Sequence, residues 1–168
     1  MGKPVLKSRG LLLEPITVRH VDLFMADISV ETAIEFDRVY NVEPLQALLD
    51  LVGVEGQYAV TRNGSVLCLT GIWEEDEGGL MWAVFTNEMK RNFVRFARAS
   101  TDLIDFYMMG KAFLACDVWV KSGMIMQWLA MLEFKPHSEY WRNEERLIRF
   151  CCNERNIDLP SGQRPVIH

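Results

Sequence analysis

The sequence predicts an α/β fold (α+β in some schemes): a single domain with a mixed, mostly antiparallel sheet flanked by helices. Three observations lead there. Leu80 to Phe134 reads strand, long helix, strand, helix, and a long helix between two buried strands implies a parallel crossover. Asn63-Gly64 between two β-rich runs marks a tight hairpin, because both turn residues must accept positive φ. The 168 residues, 49% of them hydrophobic, suit one domain with a real core.

Residues 1–14 read as an N-terminal arm, 15–150 as the domain and 151–168 as a C-terminal tail. Ile16-Thr17-Val18-Arg19 suits a first strand, being β-branched and free of breakers. Asp22 is placed to cap a helix with apolar positions at Leu23, Met25, Ala26 and Ile28, and then Ala33, Ile34 and Phe36. Pro44 starts a short helix that Gly53 ends. Gln57 to Thr61 and Ser65 to Trp73 are strands, residues 74–79 a turn, and Leu80 to Phe85 a strand apolar on both faces, hence central. Glu88 to Met109 is the longest helix and ends at Gly110. Phe113 to Val120 is a buried strand broken only by Asp117, after which Ser122 suits the cap of a helix. His137 to Trp141 and Arg146 to Phe150 form a closing hairpin around Asn143, and Pro160, Gly162 and Pro165 suggest an extended tail.

Charge and composition exclude several roles. The net charge of −5 and the lack of a long basic run do not favour nucleic-acid or anionic-membrane binding. No apolar run approaches the ~20 residues that span a bilayer, and Leu11-Leu12-Leu13 is too short for a signal-peptide core, so no export is expected. Cys68, Cys116, Cys151 and Cys152 lack metal or redox spacing, and His20, His137 and His168 are widely spread, so no metal is expected and a reducing cytosol is.

The strand–helix–strand–helix layout suits a phosphate-bearing cofactor. Yet Thr86 to Phe93, which leads into the long helix, contains no glycine to let backbone N–H groups close on phosphates. Lys90 and Arg91 fall in the first helical turn, where cations oppose the macrodipole. Arg91, Arg95 and Arg98 share one stripe, which either holds an anion or is a solvated face with Glu88 and Asp102 as neighbours. Glu74, Glu75, Asp76 and Glu77 either make an acidic pocket that attracts an amine or form a solvated turn. Asp117, inside a buried strand, must find a partner or shift its pKa; it is a base, an orienting group or half of a salt bridge. The five tryptophans and nine methionines read as core or contact residues.

The element order from about Ile16 to Phe150 resembles the GNAT (Gcn5-related N-acetyltransferase) fold. Its best local match is Trp128-Leu129-Ala130-Met131-Leu132-Glu133-Phe134, similar to the segment where a tyrosine-bearing helix runs into Leu-Gly-Phe. Leu80-Met81-Trp82-Ala83-Val84-Phe85-Thr86, Lys90-Arg91-Asn92-Phe93-Val94-Arg95, Val118-Trp119-Val120 and Glu139-Tyr140 resemble the internal virion protein A family of T7-like short-tailed bacteriophages, whose members look like diverged GNAT proteins.

The GNAT resemblance implies an acyl-CoA site with Ala83, Val84 and Phe85 along the pantetheine arm and Lys90, Arg91 and Asn92 at the phosphates. It also implies a base among Glu74, Glu75 and Asp117. Leu129 stands where the family has its acidic tyrosine, with Tyr140 the nearest hydroxyl, and Glu133 replaces the family's glycine. The phage resemblance implies a morphogenesis protein of the host cytoplasm and virion interior, acting without catalysis or cofactor through contacts with other virion or assembly proteins. The arm, the tail and exposed aromatic or methionine surface would make those contacts. The alternatives are an acetyl-CoA-dependent N-acetyltransferase acting on a host or viral amine, and an acyl-CoA or nucleotide sensor.

Overall fold

The computed structural model describes residues 3–153. The chain opens with two short strands, Leu6–Ser8 (β1) and Leu11–Pro15 (β2), turned by Arg9 and Gly10 at positive φ. The expected arm is thus part of the sheet, because Leu11 and Leu13 bury into the core while β2 pairs antiparallel with the next strand.

Ile16–Arg19 is not a strand. Thr17 caps a helix, Val18–Ala26 (α1): its hydroxyl accepts the His20 N–H while His20 Nδ1 accepts the Thr17 N–H at 3.1 Å. Two satisfied helix-end groups outweigh β-branched propensity here, and Asp22 lies inside the helix instead of capping it. Ser29 caps the next helix, Val30–Glu35 (α2), which runs into a π-helical turn, Phe36–Tyr40, closed by Asn41 at φ +51°. Pro44–Leu49 (α3) follows, with both carboxylate oxygens of Glu43 accepting from its first amides.

The strands Gln57–Arg62 (β3), Ser65–Glu75 (β4) and Gly78–Phe85 (β5) form an antiparallel meander, and Asn63 and Gly64 take the positive φ that their hairpin needs. Then come Glu88–Met108 (α4), Phe113–Trp119 (β6), Gly123–Met131 (α5), Lys135–Arg142 (β7) and Glu145–Asn153 (β8). All eight strands form one sheet, ordered β1-β2-β3-β4-β5-β6-β8-β7, with β5 and β6 parallel and the other neighbours antiparallel. Strand β8 runs past the expected boundary at residue 150; the rest of the expected tail, 154–168, lies outside the described residues.

Helices α4 and α5 cover one face of the sheet, where Phe85, Phe96 and Trp128 pack with ring centroids 5.2–5.8 Å apart. Helices α1 and α3 cover the other through Val21, Phe24 and Leu48. The feature that makes a site is the junction of β5 and β6. They pair only from Gly78↔Phe113 to Met81↔Cys116, and then separate while each continues.

Gly78 begins that short pairing, and a β-carbon there would fall 2.5 Å from atoms of the Phe113 ring. Gly78→Ala is expected to cost about 1–3 kcal/mol, the usual range for overpacking. Gly123→Ala, at an exposed helix start with nothing within 4 Å, is expected to be close to neutral. Thermal unfolding of the two variants checks this; equal melting temperatures would mean the register at the start of the β5–β6 pairing is misassigned.

Candidate functional site

The separation of β5 from β6 opens a cleft of about 880 Å³ on the α1–α3 side. That volume falls within the roughly 300–1,000 Å³ of small-ligand sites. The π-helical turn and α3 form one wall, and β5 (Leu80 to Val84) with β6 (Cys116 to Val118) form the floor. The β4–β5 turn and Arg142 at the end of β7 close the rim, and Arg149 of β8 stands beside the floor. Five carboxylates line it (Glu35, Glu74, Glu75, Asp76 and Asp117) against two guanidinium groups, Arg142 and Arg149. Phe36, Tyr40, Trp73 and Trp82 supply aromatic surface.

Much of that charge is already paired. Arg149 donates to both oxygens of Asp117 at 2.8 and 3.0 Å, with both side chains nearly buried. Freeing Asp117 as a base would leave a buried guanidinium unpaired, which costs about 3–5 kcal/mol. Glu74 meets Lys111 at 3.3 Å on the exposed rim, and Arg142 lies 5.0 Å over the Tyr40 ring. The Tyr140 hydroxyl is buried and has no hydrogen-bond partner among the described residues; burial, with the Asp117 charge nearby, pushes its pKa far up, so it is a neutral donor.

Glu35 differs from the other acids. It is 7% exposed, and its Oε2 accepts a hydrogen bond from Ser122 Oγ at 3.2 Å. Burial pushes its carboxyl from 4.5 to about 7, against the lowering effect of Ser122 and with a smaller push from Glu31. A carboxyl titrating near neutrality in a cleft can take a proton from a bound ammonium group.

On the opposite face, at the head of α4, nothing is left open. The Asn87 N–H donates to Asp27 O at 3.0 Å and the Glu88 N–H to Asp27 Oδ2 at 2.9 Å. The Met89 and Lys90 N–H groups donate to Thr86 O and Asn87 O. Thr32 Oγ1 donates to Phe85 O at 3.2 Å, and Thr86 bridges to Ile28. The residues at this helix start therefore do not fit a coenzyme pyrophosphate: their amides are already bonded, the first two to one aspartate.

The sequence candidates are accordingly scattered. Glu74 and Glu75 stand on the cleft rim, Asp117 in its floor, and Tyr140 beside Asp117. Ala83 and Val84 line the cleft, whereas Phe85 turns into the core under α4. Lys90 edges a small cavity on the α4 side, Arg91 is exposed and pairs with Glu88 at 3.6 Å, and Asn92 is buried, held by Glu88 O and Arg62. The three do not converge. Arg95 leaves the stripe to bond Arg9 O. Leu129 is fully buried, and Glu133 sits at φ +63° where a glycine would be unstrained. Sequence reasoning missed Glu35, Tyr40, Arg149, Asp27 and Thr32. The only local signal for Glu35 was a lone acid between Ile34 and Phe36. Among the described residues no group of three or more His, Cys, Asp or Glu could hold a metal, and no helix is long and apolar enough to cross a membrane.

No family model matches the sequence, and no curated protein matches it. Solved structures do match in shape. A GNAT-family acetyltransferase from Bacillus anthracis superposes with a TM-score of 0.70 at 8% identity, over 89% of this chain and 98% of that one. A ribosomal L7/L12 alpha-N-protein acetyltransferase gives 0.70 at 7%, over 91% and 95%. The ribosomal-protein-S5-alanine acetyltransferase from Vibrio fischeri gives 0.66 at 14%, over 90% and 97%. The chain has the GNAT acetyltransferase fold.

Glu35 has a pH signature. Its pKa is higher in the folded than in the unfolded chain, so the stability it allows is full below about pH 4.5 and falls as pH rises to about 7, then levels off. Glu35→Gln removes that dependence. The variant is expected to match the parent near pH 5 and to exceed it by up to about 3 kcal/mol at pH 8. Denaturant titrations at the two pH values check this, and a constant difference between the proteins would contradict it.

Proposed function

We propose that this GNAT-fold chain recognises a protein amine in its acidic cleft, using the acceptor side of the acetyltransferase fold as a binding site without catalysis. The observation that carries this is the pairing of a ligand-sized, carboxylate-lined cleft with an α4 head whose amides are internally bonded. Glu75 and Asp76 at the rim attract a cation, and Glu35 at the inner end receives it. Tyr40, Trp73 and Trp82 offer aromatic faces to the chain that carries it. Two of the structural relatives are, by name, acetyltransferases of ribosomal proteins, which supports a protein as the source of the amine. The resemblance to phage internal virion proteins supports a partner among virion or assembly proteins.

A second reading is N-acyl transfer to that same amine. The acetyltransferase fold and the near-neutral Glu35 favour it, because a base of that pKa would take the ammonium proton at physiological pH.

Calorimetry with two short peptides tests the amine site, one with a free N-terminus and one N-acetylated with a single lysine, each compared with an amine-free counterpart. At least one amine peptide is expected to bind at pH 8 and to weaken at pH 5.5, where Glu35 is protonated. The substitution Glu35→Gln is expected to weaken it about tenfold or more at pH 8, the equivalent of one lost charge-assisted hydrogen bond. Equal binding of the amine-free peptides, or none by any peptide near millimolar concentration, would sink the proposal. An acetylated peptide recovered after incubation with acetyl-CoA would decide for the second reading.

A further inference from the structure

We infer that residues 27–35 form a strap that fills the groove on the α4–α5 side of the β5–β6 splay, so that the chain as folded excludes the acyl-CoA its fold implies. This goes beyond the amine site, which lies on the opposite face.

The strap is fixed at both ends and in the middle. At its start, Asp27 binds the head of α4 twice: the backbone carbonyl takes the Asn87 N–H, and the carboxylate takes the Glu88 N–H. A helix of 21 residues ends in unpaired amides and partial positive charge, and a carboxylate satisfies both. An incoming phosphate would have to displace a group of its own sign that is tethered at high effective concentration. Ile28 then bridges to Thr86, and Thr32 Oγ1 donates to Phe85 O, so strand-edge groups of β5 beyond its pairing with β6 bond the strap. At its end, Glu35 accepts from Ser122, the N-cap residue of α5.

Volume decides the matter. What remains between strap, β5 and α5 is a cavity of about 20 Å³. That is room for about one water, against the roughly 300 Å³ or more of sites for ligands far smaller than a coenzyme. Lys90 at the edge of this cavity is exposed, so the basic helix start seen in the sequence faces solvent and not a groove. The strap and the amine cleft share one wall, since Glu35 and Ile125 line both.

Two measurements on the full chain test this. Calorimetry with acetyl-CoA is expected to give no heat up to about 1 mM, and saturable binding within that range would overturn the inference. Amide hydrogen exchange is the second: in Asp27→Ala, which removes the carboxylate but keeps the carbonyl that takes the Asn87 N–H, the Glu88 amide is expected to exchange about tenfold faster or more, as loss of one hydrogen bond implies, while β4 and β5 stay protected and show the fold intact. Unchanged exchange at Glu88 would mean that the Asp27 carboxylate does not hold the helix head, and the strap would be rejected. Acetyl-CoA binding by the parent chain would reject the strap and leave the peptide result standing, so the two proposals fail separately.

Discussion

The parallel pairing of β5 with β6 lasts four residue pairs, and the architecture of both faces follows from its shortness. Beyond Met81 and Cys116 the strands diverge. Strand β6 keeps β8, with which it pairs along its whole length, and β5 keeps β4, so each has a free edge toward the gap. Backbone groups left at such an edge must be bonded or wet. On one face the gap becomes the acidic cleft. On the other, the chain meets the need itself through Thr32, Ile28 and Asp27. Gly78 permits the short pairing because any side chain there would collide with Phe113 at the first point where the strands touch.

The two faces balance charge in opposite ways. In the cleft, carboxylates outnumber guanidinium groups, and Asp117, the most buried floor acid, is neutralised by a two-bond pair with Arg149. Glu35 has only a serine hydroxyl, so burial raises its pKa and it remains largely protonated below neutrality. At the head of α4 the need is reversed. Amides and dipole call for an anion, and the anion is intramolecular. One short segment, residues 27–35, therefore holds the carboxylate that closes one face and the carboxylate that gives the other its titratable centre.

Local chemistry in the sequence was enough for much of the fold. The Asn63-Gly64 hairpin, the Pro44 helix start, the long helix after Glu88 and the two buried strands around it have the short-range patterns that produce them. It misled where two local rules competed. Ile16 to Arg19 is β-branched, yet the Thr17–His20 capping box made it a helix start. The leucines at 11–13 alternate in burial as a strand does, but three identical apolar residues in a row carry no alternation that a sequence can show. The candidate site was less legible, because a carboxylate looks the same in sequence whether it is solvated, paired or buried.

From the sequence alone came the element order from α3 onward, the parallel crossover and the absence of a glycine before α4, all set by spacing and backbone permissiveness within a few residues. Tertiary structure decided what stands in place of that glycine-lined turn. Asp27 reaches Glu88 across 61 residues, Glu35 reaches Ser122 across 87, and Arg149 reaches Asp117 across 32. None of these pairings has a period or a motif. The first two exist because the segment 27–35 is folded against the splay, and the third because Asp117 and Arg149 stand opposite each other on paired strands β6 and β8; in each case polar groups left there must be satisfied.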